Sequence, residues 1–109
     1  MDIHKIDWSA IPWKQIRKGV EQKAFSGNAA TVALHRLMPG HEPRPHSHPH
    51  EQVGLMLSGT AEFTIGEETQ TIGPGQMWRI PGGVVHKVVA GDQPVRALDV
   101  FHPIRDDYR

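Results

Sequence analysis

The sequence contains no cysteine, no excess of either charge and no long apolar run. Without cysteine there are no disulfide staples, thiolate zinc sites, iron–sulfur clusters or cysteine nucleophiles. Twelve Lys and Arg balance twelve Asp and Glu, so the chain carries no net positive field for a nucleic-acid partner, and none is expected. No window approaches the about 18 consecutive apolar residues that cross a bilayer. The opening Met1-Asp2-Ile3-His4-Lys5 lacks the apolar stretch of a secretory signal. The expectation is a soluble, cytoplasmic protein with no membrane partner. At 109 residues the chain suits one hydrophobic core.

Glycine, proline and histidine are what the sequence has in quantity. Turn signals recur at Ser26-Gly27-Asn28, Pro39-Gly40, Ser58-Gly59, Gly66-Glu67-Glu68, Gly73-Pro74-Gly75, Pro81-Gly82-Gly83 and Gly91-Asp92-Gln93-Pro94. Short runs rich in Val, Ile, Leu and Thr lie between them. Thr60 to Ile65 alternates, with Ala61, Phe63 and Ile65 on one face. This spacing predicts an all-β fold, an antiparallel sandwich or barrel, with under about a fifth of residues helical. Pro12 and Gly19 interrupt the one segment, Trp8 to Glu21, where a helix could compete. Residues 1–20 are therefore expected to form an arm, with Trp8 to Trp13 laid across the barrel or a dimer partner, and residues 21–109 the single barrel.

Four of the eight histidines, His41, His46, His48 and His50, fall within ten residues. Pro45 and Pro49 bias the residues before them towards extended backbone, where side chains two apart leave from one face. His46 and His48, expected on one strand, can then converge on one point, and imidazole is the commonest protein metal ligand. His86 interrupts the valine-rich run 84–89, which is expected to form a strand. If the Val84, His86 and Val88 face lines the interior, that imidazole needs a partner or a metal. His35, His41 and His102 are read as non-ligands, and His50 as a residue supporting a ligand. Met38, Met56 and Met77 are read as packing residues.

The chain also reads Gly40-x5-His46-x-His48-x3-Gln52-x6-Gly59, then fifteen residues, then Gly75-x5-Pro81-x-Gly83-x2-His86. These spacings resemble the two signature motifs of the cupin superfamily, whose fold is a jelly-roll barrel (double-stranded β-helix). The resemblance implies metal ligation by His46, His48 and His86, with Gln52 at a fourth position that usually carries Glu. Glu51 is the alternative if the register shifts by one, although strand parity would then point it the opposite way. A further departure is Ala90, where the second motif often has Asn. Three imidazoles and an amide leave a divalent charge unneutralised, which favours Lewis-acid over redox chemistry. The expected cofactor is one divalent transition metal: Ni, Mn, Fe, Co or Zn.

The stretch His46 to Gln52, together with the tail Leu98 to Tyr108, is similar to the KdgF family of small pectin-degradation cupins. Members convert 4,5-unsaturated uronates into linear 4-deoxy-5-keto-uronates at a metal held by three histidines and a glutamine. The resemblance places catalytic or substrate-binding roles on Asp99, Phe101 and Arg105. Asp99 would relay a proton, and the Arg105 fork would hold the carboxylate of a small-molecule substrate. It also leads us to expect a homodimer, with Trp8, Ile11 and Trp13 as apolar anchors. Two competing readings are an Fe(II) dioxygenase using the same ligands and a non-catalytic metal- or sugar-binding module.

Overall fold

Nine strands alternate with tight turns in the structure, a computed structural model that describes residues 5–108. They are β1 (Lys14–Arg17), β2 (Val20–Ser26), β3 (Thr31–Leu37), β4 (Glu51–Ser58), β5 (Ala61–Ile65), β6 (Glu68–Ile72), β7 (Met77–Ile80), β8 (His86–Ala90) and β9 (Val95–His102). The only helical pieces among the described residues are two 3-10 turns, Trp8–Ala10 and Asp106–Tyr108. Two antiparallel sheets result, one ordered β1-β2-β3-β9-β4-β7 and the other β6-β5-β8. This is the jelly-roll architecture of the expected all-β class.

Period-2 alternation builds the core between the sheets. On β9, Val95, Ala97, Asp99 and Phe101 point inward and are buried, while the residues between them are less buried. Ala61 and Phe63 do the same on β5. Val20, Leu37, Met56, Phe63, Ile72, Trp78, Ile80 and Val95 form one apolar cluster with them. Burying a side chain of this size stabilises the fold by about 1.5–3 kcal/mol.

Three expectations need correction. The sheet begins at Lys14, so residues 14–20 belong to the barrel rather than to an arm. Trp13 sits under the cations of Arg36 (4.3 Å to the ring centroid), Lys23 (4.8 Å) and Arg96 (5.7 Å), and Lys23 Nζ donates to the Trp8 carbonyl. Second, His46 and His48 lie in a loop rather than on a strand, because the flanking prolines have no N–H to give a ladder. Third, the strand carrying His86 begins at His86 instead of Val84. The Val84 carbonyl is used to hold the His86 ring.

Candidate metal centre

An isolated backbone bridge joins the two histidine-bearing segments, and Gly83 N also donates to the His48 carbonyl at 2.8 Å. His46 N donates to the His86 carbonyl at 3.1 Å, and His86 N donates to the His46 carbonyl at 2.9 Å. The bridge fastens the proline-bounded loop to β8 and brings the His46, His48 and His86 rings together, with centroids 4.3 to 5.8 Å apart. One ligand nitrogen from each lies within 4.8 Å of the others, so these three histidines could hold a metal ion.

Their tautomers follow from their partners. His46 Nδ1 lies 2.9 Å from the Arg44 carbonyl, His48 Nδ1 3.0 Å from the His50 carbonyl and His86 Nδ1 3.0 Å from the Val84 carbonyl. A carbonyl only accepts, so each Nδ1 carries the proton and each neutral ring keeps its lone pair on Nε2. His86 Nε2 is buried without a hydrogen-bond partner among the described residues. Burial pushes the His86 pKa down to about 4. Burial, followed by the Arg105 charge, lowers that of His48. Both rings are thus held in the neutral state that a metal requires. His50 contributes its backbone carbonyl to this arrangement.

Gln52 is buried on β4, and Glu51 is exposed on the opposite face. The Gln52 amide is fixed from behind, since Nε2 donates to Asp99 Oδ1 at 2.7 Å. Its Oε1 therefore faces His48 Nε2 at 3.1 Å. With Nδ1 carrying the proton, His48 Nε2 is also an acceptor. Two acceptors this close repel unless a cation lies beside both, so the donor set fits a divalent metal.

Asp99 is 4% exposed and accepts from three neighbours. Oδ1 receives Gln52 Nε2 and Trp78 Nε1, the latter at 3.0 Å, and Oδ2 receives His35 Nδ1 at 2.8 Å. His35 Nε2 in turn lies 3.0 Å from the buried amide of Gln22. The indole reaches Asp99 by crossing Gly54, where a Cβ would sit 2.2 Å from the Trp78 ring. Gly54 pairs with both Trp78 and Asp99 in the sheet, so a strand-interior glycine is explained by this close approach.

Phe101 is fully buried beneath the histidines, edge-on to His48 at 5.6 Å. Arg105 is placed differently from the expectation. It is 9% exposed, and Nε and Nη2 pair with both oxygens of Asp107 at 3.1 and 2.6 Å. Nη1 donates to Tyr108 Oη at 3.0 Å, and the guanidinium stacks on the Tyr108 and Phe101 rings. Its carboxylate-binding fork is already filled from within the chain by Asp107. The interior cavity, of about 80 Å³, is lined on its polar side by His46, Gln52, His86, Asp99 and Tyr108, with Phe101 beside them, and Arg17 and Arg44 also reach it. From sequence, Arg17, Arg44, Trp78 and Tyr108 carry no site role, and His35 is read as a non-ligand.

His41 stays apart from the metal cluster. It is buried, and its Nε2 accepts from Ala90 N at 3.0 Å.

A model of the cupin domain matches residues 33–101. An uncharacterized protein of Streptomyces coelicolor is 33% identical over 73 residues, 67% of this chain and 70% of that protein. Oxalate decarboxylase OxdC of Bacillus subtilis is 31% identical over 87 residues, 75% of this chain but only 22% of that protein. Among solved structures, an RmlC-like cupin from Shewanella frigidimarina superposes with a TM-score of 0.91 at 19% identity, covering 99% of this chain and 97% of the other. KdgF from Halomonas sp. superposes with a TM-score of 0.85 at 24% identity, covering 93% and 94%.

Proposed function

The chain belongs to the cupin family, and on that premise we propose that it is a metal-dependent enzyme converting a small uronate-like sugar acid by tautomerisation and ring opening, as KdgF resemblance implies. The observation that carries this reading is the neutral donor set. Three histidines have each Nδ1 tied to a carbonyl, and the Gln52 oxygen is fixed by Asp99. A divalent ion held by His46, His48, Gln52 and His86 would supply Lewis acidity towards a substrate oxygen.

The conversion itself is an isomerisation. The anomeric hydroxyl loses its proton as C1–O5 breaks and the C1 aldehyde forms. C4 gains a proton as C5 becomes a ketone. The groups of the cavity wall divide this work. Both oxygens of Asp99 are engaged, so Asp99 acts through Gln52, and its role is to aim the amide. Tyr108 lines the cavity with a phenol that burial holds in its protonated form, and it is the group we assign to hold a proton for transfer. Phe101 and the apolar core behind it keep bulk water from that face. Arg105 braces Tyr108 and Phe101.

The test is to incubate metal-loaded protein with a 4,5-unsaturated uronate, following the loss of its double-bond absorbance and identifying the linear keto product by NMR. Oxygen consumption during turnover would instead indicate a dioxygenase, and absence of any turnover a binding module. We propose further that the chain forms a homodimer. Of the expected anchors, Trp13 is covered within the chain by Arg36, Lys23 and Arg96, whereas Val53, Leu57 and Met77 stand exposed on the outer face beside the edge strand β7, and a second copy would cover them. A monomer in sedimentation at micromolar concentration contradicts this.

A further inference from the structure

The mouth of the cavity carries a cation that a break in the sheet turns inward. In the β1–β2 hairpin Lys14 pairs with Gln22 and Gln15 with Glu21, but the next pair is Arg17 with Val20. Ile16 is thus an extra residue on β1, a bulge. In an unbroken register Arg17 would fall opposite Gly19 and its side chain would leave from the outer face. The bulge moves it opposite Val20, whose side chain is buried in the core, and both Ile16 and Arg17 consequently line the cavity. Re-aiming one side chain is a common use of a bulge beside a functional site.

Arg17 is half-buried, and only its Nε has a protein partner among the described residues, the Glu42 carbonyl at 2.9 Å. That bond fixes the plane of the guanidinium and leaves both Nη groups to a ligand. Arg44, paired with Glu42, lines the same cavity, and its charge, after burial, lowers the Arg17 pKa. A half-buried cation held near a second one is stabilised by an anion, and a guanidinium plane suits a carboxylate.

We propose that Arg17, supported by Arg44, binds the carboxylate of the ligand whose other end reaches His46, Gln52 and His86, in place of the Arg105 fork that Asp107 occupies. This rests on the sugar-acid reading above and assigns the group that selects an acid over a neutral sugar. Arg17 is a specificity residue at the opening, and the reacting atoms lie deeper.

The test is calorimetric binding of galacturonate, glutarate and uncharged galactose to metal-loaded wild-type, Arg17→Ala and Arg17→Lys protein, with metal content measured alongside. The expected result is that an acid binds and galactose does not. Arg17→Ala should weaken acid binding by about tenfold or more, Arg17→Lys should weaken it less, and metal content should not change. Acid binding that survives Arg17→Ala, equal binding of galactose, or no acid bound by wild type overturns the proposal. If acids bind through Arg17 but no unsaturated uronate is converted, the catalytic reading fails and this assignment stands. Conversion with unaltered KM in Arg17→Ala leaves the catalytic reading and removes this one.

Discussion

Asp99 Oδ1 accepts the Gln52 amide N–H at 2.7 Å, and this bond decides which end of Gln52 faces the histidines. The same oxygen takes the Trp78 indole, and the other takes His35, so one carboxylate collects three donors from three strands. Asp99→Asn puts an NH2 group against at least one of those donors and loosens the amide. Metal affinity should fall by about 10–100-fold, the usual effect of removing a group that orients a ligand, with Gln52 still present. Titration of the chelated protein with Ni or Zn checks this. Unchanged affinity with lost turnover would return Asp99 to a direct role in proton transfer.

Gly54→Ala should disturb the same carboxylate without touching it. The new Cβ would fall 2.2 Å from the Trp78 ring, and overpacking a buried position of this kind costs about 1–3 kcal/mol. Urea unfolding should show the loss, and metal affinity should drop with it as the indole leaves Asp99. A variant as stable as wild type would show that Trp78 relaxes freely.

Two of the buried histidines, His41 and His86, should separate cleanly. His86→Ala should remove or severely weaken the metal. His41→Ala strips the acceptor from Ala90 N and should cost about 1–3 kcal/mol of stability with metal content kept. Equal metal content in the two variants would show the ligand set to be wrong.

How much of this site is legible in the sequence depends on whether strand periodicity runs undisturbed. Asp99 and Phe101 share a face because β9 alternates regularly over its length, and Gln52 is separated from Glu51 by the same parity. His46 and His48 are legible from their spacing alone, although the prolines place them in a loop. Arg17 is hidden because a one-residue bulge reverses its face, and nothing in Lys14-Gln15-Ile16-Arg17 marks the bulge. His35 is hidden for another reason. Its contacts to Gln22 and Asp99 need the register of β2, β3 and β9 at once. Arg105 is legible as a residue of interest, but its pairing with Asp107 depends on how the final turn folds back.

Tyr108 is the one tyrosine in the sequence, so ultraviolet titration of the phenol reads it alone. Burial raises its pKa above the ordinary 10. A folded value above the unfolded one means that the native state holds the proton more tightly. The stability it contributes is complete below the unfolded pKa and is lost as pH rises through the folded one. The phenolate signal should therefore appear above pH 10 in native protein and nearer 10 in urea. Identical titrations would place Tyr108 in solvent.

The most direct test of the account is the rate at which a 4,5-unsaturated uronate loses its double-bond absorbance with wild-type protein in three states: metal-loaded, chelated, and re-loaded after chelation. The account predicts acceleration in the first, the spontaneous rate in the second and recovery in the third, with His86→Ala fixed at the spontaneous rate throughout. Metal-loaded protein no faster than the spontaneous reaction, or a rate indifferent to chelation, would contradict it.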